Sequence, residues 1–138
     1  MTFNLLKRYN LFISHCWDYN TDYYSVTKWI DESTITWKNM SIPVHNPKET
    51  STETELKIKI DNNIRQSSLF IIIAGMYAAR KNRAWINFEI DTALKYNKNI
   101  LAIKPRGNTI LPTKITDNAN KIVKWNSTSI ITGIKDLL

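Results

Sequence analysis

Residues 68–74 read SLFIIIA, and this apolar run decides the fold class. A strand with one face in water alternates apolar and polar residues, whereas this run is apolar at every position from Leu69 to Ala74. Such a strand is buried on both faces, as in the centre of a parallel sheet that helices cover on both sides. The run is also far too short to cross a bilayer, which requires about 20 residues.

Shorter apolar segments and helical patterns alternate on both sides of this run. Besides residues 68–74, strands are predicted at residues 9–14, 36–42, 99–104 and 121–124. Helices are predicted near residues 19–33, from Thr52 onward, near 83–96 and over 127–138. We therefore expect a three-layer, flavodoxin-like α/β fold, in which a five-stranded parallel sheet has helices on both faces. No linker or repeat divides the sequence, so residues 1–138 are expected to form a single domain.

Two local patterns support the helix predicted from Thr52 onward. Thr52 and Glu55 have the spacing of a capping box, in which the two side chains satisfy backbone N–H groups at the start of a helix. Leu56, Ile60 and Ile64 follow at helical spacing and form one apolar stripe. This stripe predicts a helix that packs with one face on the sheet.

Composition is typical of a small globular domain with a basic surface. Apolar residues make up 43%, enough for one core, and 19 Lys and Arg against 12 Asp and Glu give a net charge of +7. The cations are spread along the chain, which fits a solvated surface, although anionic partners stay open. No Arg-rich helix or aromatic stacking platform points to nucleic acid. The single Cys16 and the lack of a signal-peptide pattern favour a cytoplasmic protein without membrane contact.

In sheets of this kind, ligands bind beyond the carboxyl ends of the strands. The first predicted strand leads into Ser14, His15 and Asp18, and the second leads into a loop that contains Asn46 and Pro47. Because parallel strands end on the same edge of a sheet, we expect these loops to meet there. These loops are therefore the expected location of a ligand-binding site.

The sequence lacks several familiar kinds of site. His15 and Cys16 are adjacent, so their side chains should point apart, and no CxxC or HxxxH spacing supports a metal site. No glycine-rich phosphate loop follows a predicted strand, which excludes the Walker-type and dinucleotide fingerprints. The third strand leads into Ala-Gly-Met at residues 74–76, without the terminal aspartate of a response-regulator receiver. We therefore expect no metal site.

Glu89 is the most informative single residue. In the helix predicted near residues 83–96, with Asn82 as its cap, it follows Trp85 by one turn and has apolar neighbours. A carboxylate in such a stripe loses hydration unless a polar group meets it. Two interpretations stay open. Glu89 is either a residue at the edge of the stripe that reaches water or pairs with Lys or Arg, or a catalytic or ligand-holding carboxylate in a cleft.

Four short segments occur in a familiar order along the chain. They are LFISH at residues 11–15 followed by Trp17, WKNMSIP at 37–43 followed by Asn46 and Pro47, AGMY at 74–77, and WINFEI at 85–90. Together they resemble TIR domains, and more narrowly the TIR-like family that includes the ThsB proteins of bacterial Thoeris antiphage defence. The resemblance covers nearly the whole chain.

The resemblance implies an enzyme that cleaves NAD at the nicotinamide–ribose bond and releases ADP-ribose or a cyclised form as a signal. Glu89 is then the catalytic residue, NAD is a substrate, and no cofactor is permanently bound. The residues implied to contact the nucleotide are Ser14, His15, Asp18, Asn46, Pro47 and Trp85. Asn46 and Pro47 lie on the family's mobile second loop. Trp85 is either a packing residue or a wall on which a ring stacks.

The resemblance also implies partners. A separate effector protein would receive the nucleotide product, a phage-derived trigger would start the reaction, and the protein would self-associate on activation. The rival interpretation is a non-catalytic TIR-like interaction module. A third is a nucleoside deoxyribosyl-transferring enzyme, which shares the fold and a catalytic glutamate. The exact product, the trigger and the oligomeric state stay open.

Overall fold

One parallel sheet organises the computed structural model, which describes residues 2–14, 20–42, 52–78, 80–107 and 110–138. Within these residues the sheet has five strands: β1 (Arg8–Ser14), β2 (Thr36–Asn39), β3 (Leu69–Ile73), β4 (Ile100–Ile103) and β5 (Lys121–Val123). Their order across the sheet is β2-β1-β3-β4-β5, and every pair of neighbours is parallel. The predicted flavodoxin-like fold is confirmed, with its topological switch point between β1 and β3.

Helices cover both faces of this sheet. They are α1 (Asn20–Asp31), α2 (Glu53–Arg65), α3 (Arg80–Lys95), the short α4 (Thr113–Thr116) and α5 (Ser127–Leu137), with a 3₁₀ helix (Ala74–Ala78) between β3 and α3. Helix α1 packs against α5, and α2 packs against α3. No helix in the described ranges is long and apolar enough to span a bilayer.

The central strand and helix α2 are buried as their patterns predict. Every residue of β3 is at most 1% exposed, and β3 pairs with β1 on one side and β4 on the other. Leu56, Ile60 and Ile64 form the buried face of α2. Thr52 caps this helix, because its hydroxyl oxygen accepts a hydrogen bond from the Glu55 N–H over 3.1 Å.

The structure departs from the predictions most clearly at the start of α3, at the end of β2 and in the additional helix α4. Helix α3 begins at Arg80, so Asn82 lies inside its first turn and the prediction of Asn82 as its cap is wrong. Strand β2 ends at Asn39, before residue 42, because beyond it the Ser41 hydroxyl accepts the Ile13 N–H that a strand carbonyl would otherwise accept. Helix α4 is a single turn, which is too short to give a hydrophobic period.

Candidate active site

Ser14 and Glu89 meet at the carboxyl ends of the strands, although 75 positions separate them in the sequence. Ser14 is the last residue of β1, and Glu89 belongs to α3. The Ser14 hydroxyl donates a hydrogen bond to Glu89 Oε1 over 2.6 Å. Each of the two residues is only 1% exposed. The structure therefore brings two of the predicted site residues into direct contact.

The packing of α3 explains why Glu89 is buried. Ile86, Ile90 and Ala93 on the same helix face are at most 3% exposed, whereas Leu94 is 39% exposed and lies outside that face. Glu89 is thus in the middle of the buried face. The interpretation of Glu89 as an edge residue that reaches water is therefore wrong, and among the described residues its carboxyl group has no Lys or Arg partner.

Burial changes the acidity of Glu89. Removal from water raises its pKa from 4.5 to about 8, and the hydrogen bond from Ser14 opposes only part of that rise. Burial therefore favours the protonated form of this carboxyl group. The second oxygen, Oε2, is buried and has no hydrogen-bond partner among the residues that the structure describes. Buried polar atoms without a partner are rare in proteins, and acids with strongly shifted pKa values concentrate at functional sites.

The connection between β3 and α3 is fixed to the helix that carries Glu89. The hydroxyl of the buried Tyr77 donates to Asn87 Oδ1 over 2.8 Å, and Arg83 Nε–H donates to the Tyr77 carbonyl over 3.1 Å. These bonds fasten the 3₁₀ helix to the first half of α3. Sequence analysis missed this role of Arg83 and Asn87, because the bonds depend on a 3₁₀ helix that no sequence pattern predicted.

The segment after β2 is held beside the end of β1. The Ser41 hydroxyl accepts a hydrogen bond from the Ile13 N–H over 2.9 Å. From α2, the Asn63 side chain donates to the Met40 carbonyl over 2.9 Å. The chain therefore reaches the edge where Ser14 lies before it enters the predicted second loop. Ser41 has a partner that is distant in sequence, so no local pattern could have identified it.

The remaining predicted site residues divide into two groups. His15, Asp18, Asn46 and Pro47 lie outside the described residues. Trp85 is half-buried on α3, where its ring meets Phe88 edge to face at a centroid distance of 6.4 Å and lies 5.9 Å from Lys57 Nζ of α2. These contacts favour the packing interpretation of Trp85, and its nucleotide contact stays a prediction. Within the described ranges, no group of three or more His, Cys, Asp or Glu side chains could hold a metal ion.

Comparison with known families decides the assignment of the chain. The family model described as "Thoeris protein ThsB, TIR-like domain" matches residues 12–110, which is more than half of the sequence. The chain belongs to this family. Both Ser14 and Glu89 lie inside the matched range, so the buried pair is part of the ThsB TIR-like domain itself.

A solved structure shares the fold of this TIR-like domain. The chain is similar to the Clostridium botulinum CMP N-glycosidase BcmB, with a TM-score of 0.57 and a sequence identity of 12%. The likeness covers 94% of this chain and 99% of that chain. At this identity the likeness concerns the fold alone. A search of curated protein sequences finds no significant match.

The TIR-like domain has its buried pair at the switch point of the sheet. Strands β1 and β3 are neighbours, and the helices that follow them belong to different packed pairs, α1 with α5 and α3 with α2. A crevice forms beyond the carboxyl ends of two such strands. Ser14 ends β1 at this crevice. A buried carboxyl group here, with one oxygen that has no partner among the described residues, can bind ligand hydroxyls or, once ionised, stabilise a developing positive charge.

Proposed function

We propose that this protein cleaves the nicotinamide–ribose bond of NAD and produces an ADP-ribose-derived nucleotide, with a cyclic form as the expected product. One observation carries the proposal. Glu89 is a buried carboxyl group, held by Ser14 through one oxygen and uncommitted at the other among the described residues. Membership of the ThsB TIR-like family supports the assignment, and so does the position of the pair at the switch point.

The proposed reaction breaks the bond between the ribose C1′ and the nicotinamide nitrogen. The electron pair goes to nitrogen, so neutral nicotinamide leaves and the ribosyl centre becomes oxocarbenium-like. Ionised Glu89 stabilises this positive charge across a short distance in a site that excludes water. The pKa of Glu89, at about 8, keeps ionised and protonated forms both accessible near neutral pH.

The second step of the reaction decides the product. A hydroxyl group adds to C1′ and gives up its proton, which the Glu89 carboxylate can accept. Addition of water gives linear ADP-ribose, whereas addition of a hydroxyl group from the same nucleotide gives a cyclic product. A site that keeps water away from C1′ favours the cyclic product.

The wider assignment follows the family resemblance. In this proposal Ser14, His15 and Asp18 contact the nucleotide from the first loop, Asn46 and Pro47 cover it from the second, and Trp85 borders it. NAD is the substrate and no cofactor stays bound between turnovers. The product acts on a separate effector protein in antiphage defence, and a phage-derived trigger together with self-association activates the enzyme.

The test is nicotinamide release from NAD, measured with the purified protein and in lysates of phage-infected cells that express it. Glu89→Gln preserves the shape of the side chain and removes its ionisable group, so we expect release to fall at least about 100-fold. Glu32→Gln is the matched control, because Glu32 is exposed, and we expect it to retain full release. Mass spectrometry of the same samples identifies the product.

Equal release by the wild type and by Glu89→Gln contradicts the proposal. Absence of release in every infected lysate, with phage resistance that survives Glu89→Gln, also contradicts it and favours the non-catalytic interaction module. Release of a nucleobase from nucleosides without NAD turnover favours the deoxyribosyl-transferring alternative.

A further inference from the structure

A cavity of about 440 Å³ opens at the carboxyl ends of β4 and β5, on the same edge of the sheet as Ser14. Three of its lining residues are cations, Lys104, Arg106 and Lys124, and no carboxylate lines it within the described part of the chain. We call this cavity the cationic pocket. Its composition suits an anionic ligand, because a phosphate group prefers Arg and Lys donors.

Arg106 is held in place at the rim of the cationic pocket. Its guanidinium carbon lies 4.9 Å from the ring centroid of Trp125, and its Nη1 lies 3.5 Å from Asp22 Oδ1 of α1. Trp125 is supported in turn by Trp29, whose ring meets it edge to face at 5.4 Å. A guanidinium stacked on an indole keeps N–H groups at its edge, so Arg106 can still donate to an anion. These two contacts restrain Arg106, whose side chain is 68% exposed.

The two lysines of the pocket carry charge that no described residue neutralises. Among the described residues, neither Lys104 nor Lys124 has a carboxylate within ion-pair distance, and both side chains are exposed. Four other lysines do have such a partner: Lys57, Lys95, Lys114 and Lys121. Asn126, which lines the pocket, also caps α5, so the positive end of that helix dipole lies at the same place.

The cationic pocket and the Ser14–Glu89 site lie on the same edge of the sheet, beyond the carboxyl ends of its strands. A Cβ atom at Gly75 would lie 3.4 Å from the Cβ of Pro105, so the connections that follow β3 and β4 are in contact. The pocket lies beyond β4 and β5, two to three strand spacings from β1, which corresponds to about 10–15 Å across the sheet. A ribose with its 5′-diphosphate can span this distance when long lysine and arginine side chains reach toward the phosphates.

We propose that the cationic pocket binds the phosphate groups of a nucleotide whose glycosidic bond lies at Glu89. The position of the glycosidic bond rests on the proposed function, whereas the phosphate site rests on Lys104, Arg106 and Lys124 alone. The substrate class is then a nucleotide and not a nucleoside. Nicotinamide riboside, which lacks both the phosphates and the adenosine of NAD, lacks the contact that the pocket provides.

The first experiment measures ADP binding by calorimetry at low ionic strength, where charge contacts are least screened. The pocket variant Lys104→Gln/Lys124→Gln is compared with the surface variant Lys28→Gln/Lys38→Gln, which removes the same charge from exposed positions of α1 and β2. We expect the dissociation constant to rise at least about tenfold in the pocket variant and to stay unchanged in the surface variant. Equal affinity in both variants, or no ADP binding by the wild type, overturns the proposal.

A second measurement separates this proposal from the proposed function. If both hold, the pocket variant loses NAD turnover through a higher KM, while its turnover of nicotinamide riboside is unchanged. Pocket-dependent ADP binding by a protein that never releases nicotinamide supports the phosphate site and contradicts the proposed function. Glu89-dependent nicotinamide release with unaltered ADP affinity in the pocket variant contradicts the phosphate site and leaves the proposed function standing.

Discussion

Glu89 lies on helix α3, and Asp61 of α2 lies against the carboxyl end of the same helix. The pKa values of these two carboxyl groups are shifted in opposite directions. Asp61 of α2 accepts hydrogen bonds from the Tyr96 hydroxyl over 2.5 Å and from Lys95 over 3.2 Å, at the carboxyl end of α3. The bond from Tyr96 is the main cause that lowers the pKa of Asp61 below 3.8. Glu89 has one neutral donor, Ser14, and burial raises its pKa to about 8.

The two carboxyl groups differ in the hydrogen-bond donors and cations that replace the water they lose on folding. Asp61 keeps part of its solvent contact and gains both a hydroxyl donor and a cation, so the ionised form is favoured. Glu89 loses its water and gains no cation among the described residues. Asp61 therefore links α2 to the carboxyl end of α3, whereas ionisation of Glu89 in the folded protein costs stability.

The largest effect is expected from Glu89→Gln on the pH dependence of stability. The folded-state pKa of Glu89 is raised from 4.5 to about 8, so its contribution to stability is fully present below about pH 4.5 and is lost as pH rises to about 8. Gln has no such titration. We expect urea unfolding to show that the variant gains several kcal/mol on the wild type between about pH 5 and about pH 9, since one pKa unit corresponds to about 1.4 kcal/mol. Parallel pH profiles for the two proteins would contradict the burial of an isolated carboxyl group.

An intermediate effect is expected from Ser14→Ala. This change removes the hydrogen bond that lowers the pKa of Glu89, so the pKa rises further and the ionised form needs a more alkaline solution. We expect the profile of kcat/KM for nicotinamide release to move to higher pH. Because Glu89 Oε1 loses its hydrogen-bond donor, the free energy of unfolding should fall by about 1–3 kcal/mol. Ser25→Ala in α1 is the control. If Ser14→Ala leaves the pH profile unchanged, Ser14 does not position Glu89.

The smallest effect is expected from Asp61→Asn. We expect Tm at neutral pH to fall by less than about 3 °C, because partly exposed ion pairs contribute little. The pKa of Asp61 is lowered, so its contribution is present above its unfolded value of 3.8 and disappears as pH falls through the folded value. Calorimetry at neutral and acidic pH tests this sign. Nicotinamide release should be unaffected. If Asp61→Asn lowers release as much as Glu89→Gln does, the distinction between the two carboxyl groups is contradicted.

Periodicity predicted the sheet, its central strand and the helix that carries Glu89, because each depends on residues that are close in sequence. It could not decide between the two interpretations of Glu89, since the choice depends on Ser14, which lies 75 positions away. The bond from Tyr77 of the 3₁₀ helix to Asn87 of α3 was missed for a similar reason, because these residues are 10 positions apart and the 3₁₀ segment, AGMYA, has no helical period of its own.

The separation of Ser14 and Glu89 along the chain also has a consequence for folding. The pair forms only after β1 has paired with β3 and α3 has docked on the sheet, which are long-range contacts that form slowly. Before that, Glu89 is a hydrated side chain with an ordinary pKa near 4.5. During synthesis, Ser14 leaves the ribosome long before its partner. A nascent or partly unfolded chain therefore lacks the buried Ser14–Glu89 pair, so any chemistry that depends on this pair requires the completed native topology.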